Sequence, residues 1–263
     1  MIANYHTHTK RCRHATGADE EYVKYAVERG LSILGFSDHT PYFYDGGYYS
    51  DAKMRMDEMP GYFTSILSLR EKYKDKIDIK IGFETEYFPK FFDHLLAEYR
   101  KYPLDYIILG QHVIGNESTP DAENAFGVKR ERSSLSRFVD QCSEALGTGR
   151  FSCFAHPDII NYVTKTPEDR EFLDSEYERL ITAAIKTETP LEINLCGIRN
   201  GRNYPDPRFW QMAGRLGADV VIGSDAHAPW QVADPEELKI GYRIVNENRL
   251  KLLDTLPLKN PTF

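Results

Sequence analysis

Histidines in this chain follow short apolar runs instead of scattering over the sequence. Seven of the eight stand at or just past the end of such a run, and only His94, within residues 91–96, is placed differently. Short apolar runs alternating with amphipathic helices are typical of βα units, whose strands end at one edge of a parallel sheet. Imidazoles delivered repeatedly from strand ends therefore predict a barrel that binds several metal ions.

The order of apolar runs and helical segments predicts an α/β protein with a parallel sheet. Segments such as 90–101 and 133–146 carry apolar residues at spacings of three and four, which is typical of amphipathic helices. Gly30 is expected to end the first helix in a left-handed conformation. The seven strand candidates are residues 2–6, 32–37, 78–84, 104–112, 151–156, 190–196 and 218–224. We therefore expect a single domain, residues 1–263, that forms a (β/α)7 barrel, one unit short of a TIM barrel.

The composition excludes several classes of partner. A net charge of −7, from 33 basic and 40 acidic side chains, argues against a nucleic-acid surface. No apolar run approaches the roughly 20 residues that cross a bilayer, and the first residues lack the basic head of a signal peptide, so we expect a cytoplasmic protein. The cysteines are widely spaced, which predicts free thiols; they are Cys12, Cys142, Cys153 and Cys196. Oligomeric state is not predicted.

Two pairs of candidate ligands share the same spacing. His6 and His8 are two residues apart, so on a strand both side chains point to one face and can reach one metal ion. Asp225 and His227 repeat this spacing after the last strand candidate. In a closed barrel the first and last strands are neighbours, which brings the two pairs together.

The remaining candidates are single residues near other strand ends. Glu84 ends the third candidate strand and can bridge two cations. Glu86 points the same way on an ideal strand, so spacing alone does not choose between the two. His112 and His156 end the fourth and fifth candidates, which are neighbours in a parallel barrel. Each motif alone has an ordinary interpretation, as a helix cap, a buried hydrogen-bond pair or a loop residue. Together they exceed the three or four protein ligands of one catalytic zinc ion. The pattern predicts two or three divalent ions, with zinc, manganese and iron all suited to imidazole.

These motifs resemble the PHP (polymerase and histidinol phosphatase) family, a distorted (β/α)7 barrel with a trinuclear metal centre. The matching motifs are His6-Thr7-His8, His14, Asp38-His39, Gly82-Phe83-Glu84, His112, His156-Pro157 and Asp225-Ala226-His227. Within the family the chain is most similar to the stand-alone histidinol-phosphatases. The match at residues 82–84 favours Glu84 over Glu86 as the bridging ligand.

The resemblance implies three metal sites. The first would use His6, His8, Glu84 and Asp225. The second would share Glu84 and add His112 and His156. The third would use His14, His39 and His227. The implied substrate is L-histidinol phosphate, a small phosphomonoester, which would be hydrolysed to L-histidinol and phosphate in histidine biosynthesis.

Charge favours the same reaction class. Three divalent ions would bring roughly +6 and two carboxylates roughly −2, so the centre suits a phosphate dianion. A hydroxide bridging the metal pair at Glu84 would attack phosphorus. Arg199, after the sixth strand candidate, is expected to clamp the phosphate, because guanidinium forms two parallel bonds to phosphate. Candidates for protonating the leaving alcohol are Asp225, His227, His39 and a metal-bound water. Asp38 and Asp158 either orient ligand imidazoles or cap helices.

Two long loops on the expected site face, residues 40–58 and 113–132, are candidate walls or lids of a substrate pocket. The Tyr- and Asp-rich segment 42–51 offers rings and carboxylates to a cationic substrate. Alternative functions are hydrolysis of another small phosphomonoester, an amidohydrolase-type reaction and a non-catalytic metal-binding module. An amidohydrolase usually has a bridging lysine or carboxylate on its fourth strand, where this chain has Gln111-His112.

Overall fold

The computed structural model describes residues 1–127 and 129–262. Within them the main sheet contains eight strands: β1 (Ala3–Asn4), β2 (Ile33–His39), β3 (Asp78–Thr85), β4 (Tyr106–Leu109), β7 (Cys153–Phe154), β8 (Leu191–Asn194), β9 (Asp219–Gly223) and β10 (Lys251–Leu252). They lie in chain order and every neighbouring pair is parallel. A separate antiparallel hairpin pairs β5 (Val113–Ile114) with β6 (Glu123–Asn124).

The sheet curls so that the chain after β1 meets the chain after β9. Beyond the end of β1, Thr7 forms a parallel bridge with Ala226, which follows β9. The amide of His8 donates to the carbonyl of Ala226 at 2.9 Å, and the amide of Ala226 donates to the carbonyl of His6 at 3.3 Å. At the opposite end β10 pairs with the first residues of β9. The predicted distorted barrel is confirmed, and each of the seven strand candidates overlaps a strand.

Helices follow the strands as the alternating pattern predicts. They are α1 (Asp19–Glu28), α2 (Met59–Tyr73), α3 (Pro89–Tyr99), α4 (Arg132–Gly147), α5 (Pro167–Lys186), α6 (Leu195–Arg199), α7 (Pro207–Leu216) and α8 (Pro235–Asn248). Gly30 has the predicted left-handed backbone, with φ of +74°, two residues beyond the end of α1. Among the described residues, no helix combines the length and the apolar character needed to cross a bilayer. The four cysteines are free, as predicted.

Alternate residues of the strands face two different layers. On β4, Ile107 packs in the large core between sheet and helices, whereas Tyr106 belongs to a smaller cluster inside the barrel with Tyr5. The Tyr106 hydroxyl donates to the carbonyl of Tyr5 at 2.7 Å. On β3, Phe83 lies in the helix-facing core, so the next residue, Glu84, faces the barrel interior. Apolar side chains thus fill the lower barrel and leave its carboxyl end to polar residues.

Two departures from the sequence analysis concern short elements. The strand β10 has only two residues, one of them Lys251, and lies outside every strand candidate. The loop predicted over residues 113–132 contains the β5–β6 hairpin, whose strands are also two residues long. The other long loop, residues 40–58, is irregular apart from two short 3-10 turns, at Asp45–Gly47 and Met56–Glu58.

Candidate metal centre

The structure brings the nine predicted ligands together at the carboxyl end of the parallel strands. Ion-pair and ring contacts connect all of them into one cluster: His6, His8, His14, His39, Glu84, His112, His156, Asp225 and His227. Several groups of three residues in this cluster have ligand atoms that all lie within 4.8 Å of one another. The candidate therefore has enough donors for more than one ion.

The first group surrounds a point between β1, β3 and β9. Nε2 of His6 lies 3.5 Å from Glu84 Oε2 and 3.5 Å from Asp225 Oδ1. Nε2 of His8 lies 3.5 Å from the same Glu84 atom and 3.0 Å from the same Asp225 atom. Four donors around a tetrahedral metal at 2.0–2.1 Å would stand ~3.4 Å apart. The observed spacings are close to that arrangement.

The second group lies on the other oxygen of Glu84. His156 Nε2 is 2.8 Å and His112 Nε2 is 3.6 Å from Glu84 Oε1. His39 Nδ1 approaches Oε2 instead, at 2.9 Å. The two oxygens of this one carboxylate therefore face different sets of imidazoles, which is the arrangement required of a bridging ligand.

The third group is a stack of imidazoles at the mouth of the centre. The His227 ring lies 4.1 Å from that of His8 and 4.7 Å from that of His14, both stacked. The His39 ring lies 5.2 Å from that of His14. Ligand atoms of His14, His39 and His227 lie close enough to share one ion. His14 is the most exposed of the three, in keeping with its position after a 3-10 turn, Lys10–Cys12.

Hydrogen bonds to Nδ1 fix the orientation of three imidazoles. His14 Nδ1 lies 2.8 Å from the carbonyl of Cys12, and His227 Nδ1 lies 3.2 Å from the carbonyl of Asp225. A carbonyl only accepts, so both Nδ1 atoms carry the proton and Nε2 is left with its lone pair. His6 Nδ1 contacts both carboxylate oxygens of Glu192, at 2.8 and 3.1 Å.

The two carboxylates give the centre a strong negative field. Burial alone would raise the pKa values of Glu84 and Asp225, but the surrounding histidines outweigh it and hold both well below their usual range. Burial alone would lower the pKa of His8, but the neighbouring carboxylates of Asp225, Asp38 and Glu84 raise it to about 9. For His227, burial and the charge of His8 lower the pKa to about 3. The carboxylates thus attract positive charge, as protons on some imidazoles or as bound cations.

Several buried atoms of the centre have no hydrogen-bond partner among the described residues. They are Nε2 of His6, both ring nitrogens of His8, Oε2 of Glu84, Nδ1 of His156, Oδ1 of Asp225 and Nε2 of His227. A buried polar atom without a partner costs about 1–3 kcal/mol, so a concentration of them indicates a missing ligand. Imidazole nitrogens and carboxylate oxygens suit zinc, manganese or iron. The residues present therefore fit divalent metal ions.

An open cavity of about 430 Å³ lies over this centre. Its floor includes side chains of five predicted ligands: His14, His39, His112, Asp225 and His227. Both long loops line it as well, residues 40–58 through Lys53 and residues 113–132 through Glu117 and Phe126. A small molecule in the cavity would contact the metal centre and the two loops at once.

With the geometry in place, comparison with known proteins gives the family. The family model for the PHP domain matches residues 4–195. The chain belongs to the PHP domain family. Two of the ligand candidates, Asp225 and His227, lie beyond the matched segment, but the barrel places them beside His8.

Relatives of this PHP protein carry phosphatase names. It is 28% identical over 240 residues to a probable histidinol-phosphatase of Deinococcus radiodurans, covering 88% of each chain. It is 24% identical to a histidinol-phosphatase of Lactococcus lactis, covering 85% of this chain and 83% of the other. Among solved structures, it resembles histidinol phosphate phosphatase from Lactococcus lactis in complex with zinc, L-histidinol and phosphate. That likeness has a TM-score of 0.70 at 20% identity, over 97% of this chain and 98% of the other.

Arg199 lines the cavity of this PHP protein from the end of α6, a short helix that directly follows β8. Its Nε and Nη2 atoms form two parallel bonds, both of 2.7 Å, to the carboxylate of Glu237 on α8. Nη2 also donates to the carbonyl of Ser224 at 3.2 Å. Nη1 donates only weakly, to the carbonyl of Asp225 at 3.5 Å, so it keeps the most capacity to bind a ligand.

Three residues at the centre were not predicted: Glu192 and Asn194 position its ligands, and Arg202 lines the cavity. Glu192 on β8 accepts from His6 and from the backbone amide of His156, the latter at 3.2 Å. Asn194 donates to Asp225 Oδ2 at 3.1 Å and to Glu192 at 2.9 Å. Arg202 lines the cavity, and its guanidinium has no hydrogen bond or ion pair within residues 1–127 and 129–262. The signal for the first two was the alternation of polar and apolar residues along β8.

Asp38 and Asp158, each predicted either to orient a ligand imidazole or to cap a helix, make different contacts. Asp38 is buried beside His8, with Oδ1 lying 3.5 Å from His8 Nδ1, and it accepts from the hydroxyl of Thr9. Asp158 instead accepts from the Trp210 indole at 3.0 Å and from the amide of Asp206 at 2.6 Å. Asp38 therefore supports a ligand candidate, whereas Asp158 holds the start of α7.

Proposed function

We propose that this protein hydrolyses L-histidinol phosphate to L-histidinol and phosphate, with divalent metal ions as cofactors. The observation that carries the proposal is the set of buried imidazole and carboxylate atoms around Glu84 that have no hydrogen-bond partner among the described residues. Support for the substrate comes from relatives named histidinol-phosphatase that match 85–88% of the chain. The similar solved structure that contains zinc, L-histidinol and phosphate supports the same reaction.

The proposed ligands fall into three sets. His6, His8, Glu84 and Asp225 would hold one ion, and Glu84 with His112 and His156 a second. His14, His39 and His227 would hold a third. We propose two or three ions, of zinc, manganese or iron, because imidazole nitrogens accept all of these metals. When bound, such ions neutralise phosphate charge and make a hydroxide nucleophile available near neutral pH.

The protein's own residues then bind and orient the substrate. Arg199 is proposed to bind a phosphate oxygen through Nη1, while Glu237 fixes its other edge. Asp225 and His227 line the same cavity, and we propose that they orient the leaving alcohol and the group that protonates it. Glu192 and Asn194 keep His6 and Asp225 in place.

We also propose that residues 1–263 act as one catalytic domain. The family model ends at residue 195, yet the ligand candidates Asp225 and His227 come from the segment after it. The bridge between Thr7 and Ala226 joins this segment to the beginning of the chain. Removal of the last two βα units would therefore remove one side of the metal centre.

The test is phosphate release from L-histidinol phosphate by protein loaded separately with zinc, manganese or iron. Metal-dependent release, well above release from generic phosphomonoesters such as glycerol phosphate, would support the proposal. Glu84→Gln should lose bound metal and phosphate release together. Glu98→Gln, which removes a carboxylate on α3 that pairs with Lys101 beyond the helix, should retain both.

The other outcomes are equally informative. Release from different monoesters, but not from L-histidinol phosphate, would retain phosphatase chemistry and refute the substrate. Metal-loaded protein that releases phosphate from no monoester would refute the reaction class, including the argument from charge.

A further inference from the structure

One part of the cavity wall carries an unusual group of charges. Lys53, Glu86 and Glu117 all line the cavity, although none belongs to the proposed ligand set. The Lys53 ammonium lies 2.8 Å from Glu86 Oε1 and forms a second, short contact with Glu117 Oε2. One lysine thus serves two carboxylates, and the group has a net charge of −1.

Lys53 is enclosed by three aromatic rings and its two carboxylate partners. Its Nζ lies 5.3 Å from the centre of the Phe88 ring, 5.6 Å from that of Tyr42 and 6.0 Å from that of Tyr44. Its side chain is only 7% exposed. Burial alone would lower the pKa of Lys53, but Glu86 and Glu117 outweigh it and raise the pKa. The lysine is therefore a fixed internal cation and not a free group for a phosphate.

The carboxylates keep capacity to accept further hydrogen bonds. Glu117 Oε1 accepts from Ser50 Oγ at 2.6 Å, and its Oε2 accepts from the Tyr44 hydroxyl and from Lys53. Glu86 Oε2 accepts from the backbone amide of Val113 at 3.0 Å. A carboxylate offers about four acceptor positions, so Glu117 has one left on Oε1. Glu117 is also the more exposed of the two carboxylates, with 15% against 4%.

Lys53, Glu86 and Glu117 together form an acidic wall of the cavity, and this wall lies next to the metal centre. His112 separates them, with Nδ1 3.7 Å from Glu86 and Nε2 3.6 Å from Glu84. A ligand whose anionic end lies on the metal ions would therefore place its opposite end near the acidic wall. Opposite charges at the two ends match a substrate that carries a phosphate and, a few bonds away, a cation.

We propose that Lys53, Glu86 and Glu117 form a subsite for a protonated amine, and that Glu117 makes the direct contact with it. The substrate class is a phosphomonoester with an amine two carbons from the ester oxygen. This inference rests on the proposed function, since L-histidinol phosphate belongs to that class. It assigns substrate selection to the wall and leaves the chemistry to the metal centre.

The experiment compares two substrates of nearly identical shape, O-phosphoethanolamine and 2-hydroxyethyl phosphate, beside L-histidinol phosphate. The metal-loaded wild-type protein should prefer the amine over the hydroxyl compound in kcat/KM. Glu117→Gln should reduce that preference by roughly tenfold or more, the usual effect of losing a hydrogen bond to a charged group. The loss should appear mainly in KM for the amine.

Two further variants separate charge from shape. Glu117→Asp keeps the charge and should retain the preference to within about threefold, well short of the roughly tenfold loss expected when the charge is removed. Glu123→Gln is the matched control, because Glu123 lies in the same loop and pairs with Arg137 at 2.6 Å, but does not line the cavity. It should leave the preference unchanged. Metal content and thermal unfolding of each variant show whether the centre and the fold are intact.

The results distinguish this inference from the proposed function. Equal losses on both small substrates in Glu117→Gln, or a wild-type protein without preference for the amine, would overturn the amine subsite. A wild-type protein that prefers O-phosphoethanolamine but leaves L-histidinol phosphate intact would support the subsite while refuting the proposed substrate.

Discussion

Glu192→Gln is the substitution that most directly tests how the protein prepares its metal centre. The Glu192 side chain is 2% exposed and does not line the cavity over the centre, so the change leaves the proposed ligand set intact. Its carboxylate accepts from His6 Nδ1, from Asn194 Nδ2 and from the amide of His156. All three are donors, and a glutamine offers them one oxygen instead of two.

The size of the effect follows from this count. If the glutamine oxygen serves Asn194 and His156, its amide group faces Nδ1 of His6. Two donors cannot bond, so the imidazole proton would move to Nε2 and block the atom that faces Glu84 and Asp225. Loss of one hydrogen bond to a charged group costs ~1.5–3 kcal/mol. We therefore expect metal affinity to fall roughly 10- to 100-fold, the usual range for residues that orient ligands.

The assay is competition between the protein and a chromogenic chelator for zinc, with phosphate release measured at low and at saturating metal. Weaker zinc binding together with recovery of turnover at saturating metal is expected of a residue that orients a ligand. Glu176→Gln is the matched control, since Glu176 is also buried, at 5% exposure, but pairs with Arg179 on α5. It should bind zinc as the wild-type protein does.

One result would refute the reasoning. If Glu192→Gln and Glu176→Gln bound zinc equally well, to within about twofold, the contact between Glu192 and His6 would not prepare the centre, because a lost hydrogen bond to a charged group should change affinity by about tenfold or more. Weak zinc binding accompanied by a large fall in thermal stability before metal is added would instead indicate a role in folding.

Three further predictions concern other parts of the centre. Arg199→Ala should lower kcat/KM roughly 10- to 100-fold while bound metal, measured by elemental analysis, stays unchanged. Gly110→Ala should reduce metal content, because its Cβ would lie 2.0 Å from Glu84 Oε1, whereas Gly61→Ala meets nothing within 4 Å and should not. Metal affinity should rise with pH up to about 9, since a metal must displace the proton of His8, whose pKa is about 9. A flat profile between pH 6.5 and 9 would contradict this. In the metal-free protein the raised pKa stabilises the fold below about pH 6.5, and this contribution is lost as pH rises through 9.

The barrel and the cluster of histidines were predictable because both depend on local order along the chain. Strand and helix periods are visible in windows of a few residues, and parallel strands end on one side by topology. These two rules are enough to predict that His6 and His8 share one face at the end of a strand. Strands of two residues were predictable only inside a longer apolar run, as for β1 and β7 within residues 2–6 and 151–156. The strand β10 and the β5–β6 hairpin lie outside the predicted runs and were missed.

Residues that support the centre were harder to predict because their roles depend on contacts between distant strands. Glu192 is 186 residues from His6 in the chain. Residues 190–196 were predicted as one strand, without a distinction between its two faces. Leu191 and Ile193 face the helices, so Glu192 and Asn194 face the barrel interior. Arg199 was expected in the cavity and lies there, but its pairing with Glu237 depends on how α8 packs.

The barrel positions both buried glutamates by the same steric device. A Cβ on Gly110 would lie 2.0 Å from Glu84 Oε1, and a Cβ on Gly223 would lie 1.7 Å from Glu192 Oε1. Each carboxylate thus occupies space that any other residue on the neighbouring strand would fill. Because the barrel interior below is already packed with Tyr106 and its neighbours, neither glutamate can retract without a large rearrangement. The glycines therefore belong to the metal centre although they offer no donor atoms, and a search for ligands alone would overlook them.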